Sequence, residues 1–133
     1  MTNLTTATAL VAAIEAGAVG ERLRPYFHPD AEQVEHPSPI TPLGRTRELA
    51  AMLAASVEGA ELMASQRYEV TWEAELGDRV VLQLEWTGVL AKALGALPAG
   101  HELRADVAMF LTFDEAGLII RQETYDCYRP LAA

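Results

Sequence analysis

Two side chains able to exchange protons near neutral pH, His36 and Asp126, are the candidates for chemistry in this sequence. An ordinary imidazole titrates near pH 6.5, so it can act as a general acid or base. Asp126 lies on a predicted β-strand, where alternate residues share a face, and its neighbours on that face are Ile120, Gln122 and Thr124. A carboxylate at the end of a largely apolar face marks either a ligand pocket or a solvated strand end.

In the pocket interpretation, His36 is the catalytic base and Asp126 is its partner or the acid. The alternative for His36 is a loop histidine fixed by Pro37. The apolar side chains that would line such a pocket have core packing as their alternative role. The residues predicted to contact a ligand are Leu10, Tyr26, Trp86, Met109, Gln122 and Thr124.

The sequence carries no motif for a metal or a cofactor. Its three histidines and Cys127 lack the spacing of a metal site. It also lacks a glycine-rich phosphate loop, a nucleophile elbow and a dinucleotide fingerprint. We therefore expect any chemistry to run without a metal or a cofactor.

Composition restricts the partners of the chain. A net charge of -9 over 133 residues disfavours nucleic acids and anionic membranes, because both attract basic surfaces. No apolar run reaches the roughly 18 residues that span a bilayer, and the N-terminal segment is predicted to be a helix and not a signal peptide. With a single cysteine, these features predict a cytoplasmic protein, and the length predicts one domain, residues 1–133.

The hydrophobic pattern changes from a helical period to alternation about halfway along the chain. Turn residues at Gly77-Asp78 and at 114–117 divide the second half into two β-hairpins. The predicted elements are helices at 5–18 (capped by Thr5 or Thr6), 21–27 and 46–60, a short strand at 31–36, and long strands at 63–76, 79–90 and on both sides of 114–117 within 101–130. This order predicts an α+β fold in which a curved antiparallel sheet wraps around three N-terminal helices.

Alternation also predicts which strand residues share a face. Arg104 and Asp106 are expected opposite Met109, at the surface. The sets predicted to share one face are Tyr68, Val70, Trp72 and Ala74 on one strand, and Val107, Met109 and Leu111 on another.

Several stretches together resemble the nuclear-transport-factor-two-like superfamily, in its SnoaL-like and ketosteroid-isomerase-like branches. They are AIEAGAVGERLRPYF, HPDAEQVEHP, LEWTG, ALPAGHELRAD, FDEAGLI and YDCY, and in this order they span nearly the whole chain. The resemblance implies a cone-shaped fold with an internal apolar pocket, and a homodimer formed through the outer face of the sheet. It implies no single reaction, because the fold carries isomerases, cyclases, hydrolases, dehydratases and non-catalytic binders.

The resemblance also implies roles for individual positions. Ketosteroid isomerases place a general base at the position similar to His36, and oxyanion donors at the positions similar to Leu10 and Met109. SnoaL-like cyclases place an acid near Thr124, two residues before Asp126. The predicted function is a cofactor-independent isomerase, cyclase or dehydratase acting on a small apolar carbonyl or polycyclic compound. The alternative is a non-catalytic small-molecule binder or accessory subunit.

Overall fold

The computed structural model describes residues 2–131, which form an α+β architecture. The helices in that range are α1 (Asn3–Glu15), a 3₁₀ helix (Gly20–Tyr26) and α2 (Leu49–Leu62). Thr2 caps α1 in place of the predicted Thr5 or Thr6, because its hydroxyl accepts a hydrogen bond from the Thr5 N–H at 3.1 Å.

Six strands within residues 2–131 form one curved, unclosed sheet. They are β1 (Phe27–Glu35), β2 (Arg45–Glu48), β3 (Met63–Leu76), β4 (Arg79–Leu90), β5 (Glu102–Phe113) and β6 (Ile119–Tyr128). The order across the sheet is β2-β1-β6-β5-β4-β3, in which β1 and β6 pair in parallel and the other neighbours are antiparallel. Helix α1 packs against β3 and β4, and α2 packs against β1 and β2. This arrangement confirms the predicted cone of sheet around three helices.

The predicted boundaries fit the second half of the chain better than the first. Strands β3 and β4 have the predicted ends, whereas β1 begins four residues earlier than predicted, at Phe27. The segment predicted to begin the third helix is instead β2, in which Arg47 is the partner of Gln33 in β1. A distant partner strand therefore decides the conformation of a segment whose own pattern is ambiguous.

We call the sheet face that covers the helices the inner face, and the opposite side the outer face. Val107, Met109 and Leu111 are all buried on the inner face, as predicted. Arg104 and Asp106 are exposed on the outer face, also as predicted.

Two irregularities in register reverse other predicted faces. The shift between β5 and β6 leaves Ile119 fully buried, whereas Ile120, predicted to share the face of Asp126, is 37% exposed. A second shift lies between Val70 and Trp72 in β3, so Trp72 is on the outer face and 54% exposed. One additional residue in a strand exchanges the faces of all residues beyond it.

The core fills the space between the helices and the inner face. Its fully enclosed large side chains are Leu10, Val80, Leu82, Leu84, Leu90, Leu111 and Ile119. Removal of these apolar groups from water is the main stabilising contribution to such a fold. The helices found within residues 2–131 are all too short or too polar to cross a bilayer.

Candidate functional site

His36 lies on the outer face of the sheet, just beyond the end of β1. Its Nε2–H donates a hydrogen bond to Glu123 Oε1 at 2.7 Å. Its ring stacks on Tyr125, with 3.8 Å between the ring centroids. The hydrogen bond from His36, with the charge of Arg121, holds the pKa of Glu123 below its usual value against the opposing effect of burial.

The prediction that His36 faces the interior and pairs with Asp126 is wrong. Parallel pairing places Glu35 opposite Thr124, and the His36 N–H donates to the Thr124 carbonyl at 3.0 Å. Because Thr124 faces inward, Glu35 does so too, and the next residue, His36, faces outward. The weak alternation of 31–36 fits either face, so the sequence does not determine this register.

Asp126 lies on the inner face of β6, as predicted. Its carboxyl group forms no hydrogen bond or ion pair within the described residues 2–131. Burial, with a further contribution from the negative charge of Glu35, raises the pKa of Asp126 to about 6. A carboxyl group that titrates near neutrality and has no protein partner is able to give or take a proton.

Two polar side chains on the inner face of β6, four and two residues before Asp126, also lack partners. Gln122 and Thr124 are 8% and 9% exposed, and neither side chain forms a hydrogen bond in the part of the chain that the structure describes. Fully enclosed polar side-chain atoms in that part all have partners, so the polar atoms of Gln122 and Thr124 retain contact with accessible space. Because buried polar groups are normally paired, these two unpaired side chains are candidate contacts for a ligand.

Three aromatic side chains, Tyr68, Trp86 and Tyr128, form what we call the aromatic corner. Trp86 and Tyr128 meet edge to face, with 6.2 Å between centroids. The Tyr68 hydroxyl and Trp86 Nε1–H both donate to Gln66 Oε1, at 3.1 and 3.0 Å. Burial, reinforced by the charge of Asp126, raises the pKa of Tyr68 to about 12 and raises the pKa of Tyr128 as well. Both phenols therefore stay protonated at neutral pH.

Sequence reasoning missed Glu35 and Arg47, which lie on the inner face beside this site. Arg47 donates to Glu35 Oε1 at 2.7 Å and to Gln33 Oε1 at 3.0 Å. Arg47 lies in the segment 46–60 that was expected to be a helix, whereas in β2 its side chain is only 13% exposed. The sequence signal that could have indicated this cluster is a pair of polar residues, Gln33 and Glu35, which share one face of a strand because they are two residues apart.

The remaining predicted contact residues lie in or against the core. Leu10 is fully buried and Met109 is 5% exposed. Tyr26 and Trp86 are partly buried and pack against the same core. Leu10 therefore presents no surface to a ligand, and ligand contact by the other three stays a prediction.

A groove of about 340 Å³ is lined by outward-facing side chains of β3, β4 and β5, and also by Glu15, Tyr68, Trp86 and Ala105. Its charged lining follows rows across the strands: Arg67 and Arg104 flank Thr87 in one row, and Glu69 and Glu85 are neighbours in the next. These charged rows face away from Asp126, on the outer face of the sheet. No group of three or more His, Cys, Asp or Glu side chains is placed to hold a metal ion among residues 2–131.

Comparison with known proteins identifies a family. A family model described as a SnoaL-like domain matches residues 7–122. No curated protein sequence matches the chain.

Solved structures show the same fold at low sequence identity. AclR from Streptomyces galilaeus, a proposed hydroxylase, superposes with a TM-score of 0.79 at 18% identity, over 97% of this chain and 81% of AclR. IdmH from Streptomyces antibioticus, a proposed polyketide cyclase, gives 0.78 at 20% identity, over 95% and 92% of the two chains. A protein with a ketosteroid-isomerase-like fold from Catenulispora acidiphila, in complex with trimethylamine, gives 0.75 at 18% identity, over 95% and 88%.

Proposed function

Because the chain belongs to the SnoaL-like domain family, we propose that it binds a small, largely apolar carbonyl or polycyclic compound inside the cone and transfers protons on that compound without a cofactor. The observation that carries this proposal is Asp126, an inner-face carboxyl group with a pKa raised to about 6 and no partner within residues 2–131. The unpaired polar groups of Gln122 and Thr124 beside it supply contacts for a ligand.

Asp126 is the proton-transfer group in this proposal. Its carboxylate takes a proton from the carbon beside the ligand carbonyl, the C–H electron pair forms the enolate, and the carboxyl group returns the proton to another atom of the ligand. With a pKa of about 6, both protonation states are populated near neutral pH, which favours general acid–base catalysis. The Tyr128 phenol stays protonated, has no hydrogen-bond partner within the described residues, and is the donor available to the enolate oxygen.

The structural neighbours support the reaction class without fixing it. IdmH is a proposed polyketide cyclase, and cyclisation by carbon–carbon bond formation begins with removal of a proton beside a carbonyl. AclR, of the same fold, is a proposed hydroxylase. Since one fold carries different reactions, the proposal depends on the residues around Asp126 more than on the neighbours.

Binding without turnover is a second candidate function, favoured by Leu10 and Met109. Both are buried apolar side chains at the positions where ketosteroid isomerases, which the chain resembles, place their oxyanion donors. An enolate inside the cone would therefore have the phenol of Tyr128 in place of that pair of donors.

Proton exchange distinguishes the two candidates. The sequence has two tryptophans, so Trp72→Phe leaves Trp86 as the only tryptophan. The emission of Trp86 then reports ligands that bind next to the aromatic corner. Cyclic ketones and anthraquinone-type polyketides are the probes. For each compound that quenches Trp86, NMR in D₂O measures exchange of the protons beside the carbonyl.

We expect the protein to accelerate this exchange, and Asp126→Asn to lower the rate by about 10²- to 10⁴-fold. Asp106→Asn, which removes the same charge from the exposed outer face, is the matched control and is expected to leave the rate unchanged. Ligand binding with no acceleration of exchange would select the second candidate. No Trp86 response to any probe would contradict both.

We also propose that two copies associate through their outer faces. One row across β3, β4, β5 and β6 consists of Trp72, Gln83, Ala108 and Tyr125. Trp72 and Tyr125 are 54% and 43% exposed, and aromatic side chains of this kind are enriched at protein interfaces. A second copy seated on this row would remove both rings from water.

A further inference from the structure

The electrostatic field on the inner face near Asp126 is negative. Both phenols of the aromatic corner lie in the field of the Asp126 carboxylate, and Glu35 and Glu15 add to it. The basic side chain on this part of the inner face, among residues 2–131, is Arg47, which is already bound to Glu35 at 2.7 Å. Within the described part of the chain, no free cation therefore balances Asp126 when it is ionised.

The aromatic corner adds a second attraction for positive charge. The planes of Trp86 and Tyr128 are inclined at 86° with centroids 6.2 Å apart, so the two rings form adjacent walls. The hydrogen bonds of Gln66 to Trp86 and Tyr68 fix the orientation of the indole and the third ring. The faces of such rings carry partial negative charge and attract ammonium groups.

An unpaired buried hydroxyl lies on the same face as Asp126, on the side away from Tyr128. Thr124 is 9% exposed, lies opposite Glu35 in the sheet, and is two residues before Asp126 on the same face. Its hydroxyl has no hydrogen-bond partner in the described part of the chain. It is therefore free to accept a hydrogen bond from a ligand N–H.

The following inference rests on the proposed function. We propose that the inner-face site selects ligands whose apolar body carries a protonated or quaternary amine. This cationic nitrogen is held between the Asp126 carboxylate and the aromatic corner. An anionic ligand is rejected, because it would face Asp126 and Glu35 without a free basic partner. A neutral ligand is bound less tightly, because it gains no attraction from the Asp126 carboxylate or from the ring faces. The net charge of -9 also raises the local concentration of cations around the protein.

A matched series of small aromatic probes tests this charge preference. Benzyltrimethylammonium, benzyl alcohol and benzoate share one ring and differ in charge. Each is titrated at pH 7.5 into the Trp72→Phe protein, with Trp86 emission as the signal. We expect the cation to bind about tenfold more tightly than the alcohol, and benzoate to give no response.

Two variants locate the source of the preference. Asp126→Asn is expected to remove the advantage of the cation while leaving benzyl alcohol affinity unchanged. Asp106→Asn removes an equal charge from the exposed outer face and is expected to keep the advantage. An equal loss in both variants would show that only the net charge matters, and would overturn the inference.

The pH dependence gives an independent measure. Affinity for benzyltrimethylammonium is expected to rise as the pH increases through about 6, because Asp126 becomes ionised there, whereas affinity for benzyl alcohol stays level. The charged and titratable groups that face Asp126 are Glu35 from β1, Arg47 from β2, Tyr68 from β3, Tyr128 from β6 and, through Tyr68, Glu15 from α1.

The outcomes separate this inference from the function on which it rests. If benzyl alcohol or a cyclic ketone quenches Trp86 as strongly as the cation does, the charge preference is overturned and the interior binding site stands. If none of the charged or neutral probes affects Trp86, the interior site itself is contradicted, and the charge preference fails with it.

Discussion

His36 Nε2 lies 2.7 Å from Glu123 Oε1, on the face of the sheet opposite to Asp126. The His36 side chain is therefore hydrogen-bonded to Glu123 and does not pair with Asp126. We predict that His36→Gln leaves ligand binding at Trp86 and proton exchange unchanged, because the imidazole has no access to the inner face. Titration of Trp86 emission and NMR exchange rates check this outcome.

The stability of His36→Gln, unlike its ligand binding and proton exchange, is expected to change. The side chains of His36 and Glu123 are 30% and 16% exposed, so we expect His36→Gln to lower the free energy of unfolding by about 0.5–1 kcal/mol. Since the pKa of Glu123 is lowered in the folded state, its contribution is present above its ordinary value of 4.5 and is lost as the pH falls. A rate loss in His36→Gln equal to that in Asp126→Asn would contradict the outward placement of His36.

Asp126→Asn is predicted to stabilise the fold above pH 6. Folding raises the pKa of Asp126 from 3.8 to about 6, so the folded state binds more protons than the unfolded state between these values. Stability therefore falls as the pH rises through this window, and the full loss is present above it. A shift of this size corresponds to at most roughly 3 kcal/mol, and we expect Asp126→Asn to recover about 1–3 kcal/mol.

Urea unfolding of wild type and variant at pH 4, 5, 6 and 7.5 measures this difference. The gain from Asp126→Asn should be smallest at pH 4 and should level off above pH 6. Asp106→Asn, at an exposed position, should show no such trend. A gain that is equal at every pH would mean that the carboxyl group titrates normally in the folded protein.

The hairpins were predictable because their signals are local. Alternation over long strands and glycine turns at Gly77 and Gly117, both with positive φ, define β3 to β6 without knowledge of distant partners. Asp126 was placed on the inner face for the same reason, since counting by two from a buried strand centre is reliable over short distances.

The parts that sequence could not supply depend on register between distant strands. His36 faces outward because β1 pairs with β6, about 90 residues along the chain, and its own weak pattern fits both faces. Trp72 changed face because it follows an additional residue in β3, and Ile120 changed face because it is itself the additional residue in β6. Arg47 reached Glu35 only through pairing of β2 with β1. An error of one residue in the alternation of β1 is enough to place His36 on the opposite face of the sheet.

Trp72→Asp is predicted to prevent association through the outer face. A carboxylate in the row that joins Trp72 to Tyr125 would have to be desolvated on assembly, whereas in the monomer position 72 is already 54% exposed. We expect wild type to sediment as a dimer at micromolar concentration and the variant to sediment as a monomer.

Leu43→Asp is the matched control for this change. Leu43 is 95% exposed but lies in the loop between β1 and β2, away from the outer-face row. Sedimentation of this variant should match wild type. A wild-type protein that remains monomeric at tens of micromolar would contradict the proposed dimer.

Gly88→Ala is predicted to disturb the aromatic corner. A Cβ at position 88 would lie 2.5 Å from Trp86 Cζ2 and 3.0 Å from Met63 Sδ, so the indole ring must move and its 3.0 Å hydrogen bond to Gln66 must change. We expect a loss of about 1–3 kcal/mol in the free energy of unfolding, with a changed near-ultraviolet circular dichroism signal of Trp86 in the Trp72→Phe background.

Gly59→Ala in α2, where a Cβ meets nothing within 4 Å, is the matched control. It should instead stabilise the protein by about 0.5–1 kcal/mol, because alanine favours a helix. If Gly88→Ala kept both the stability and the Trp86 signal of wild type, the indole ring would not rest on Gly88, and the aromatic corner would be misplaced.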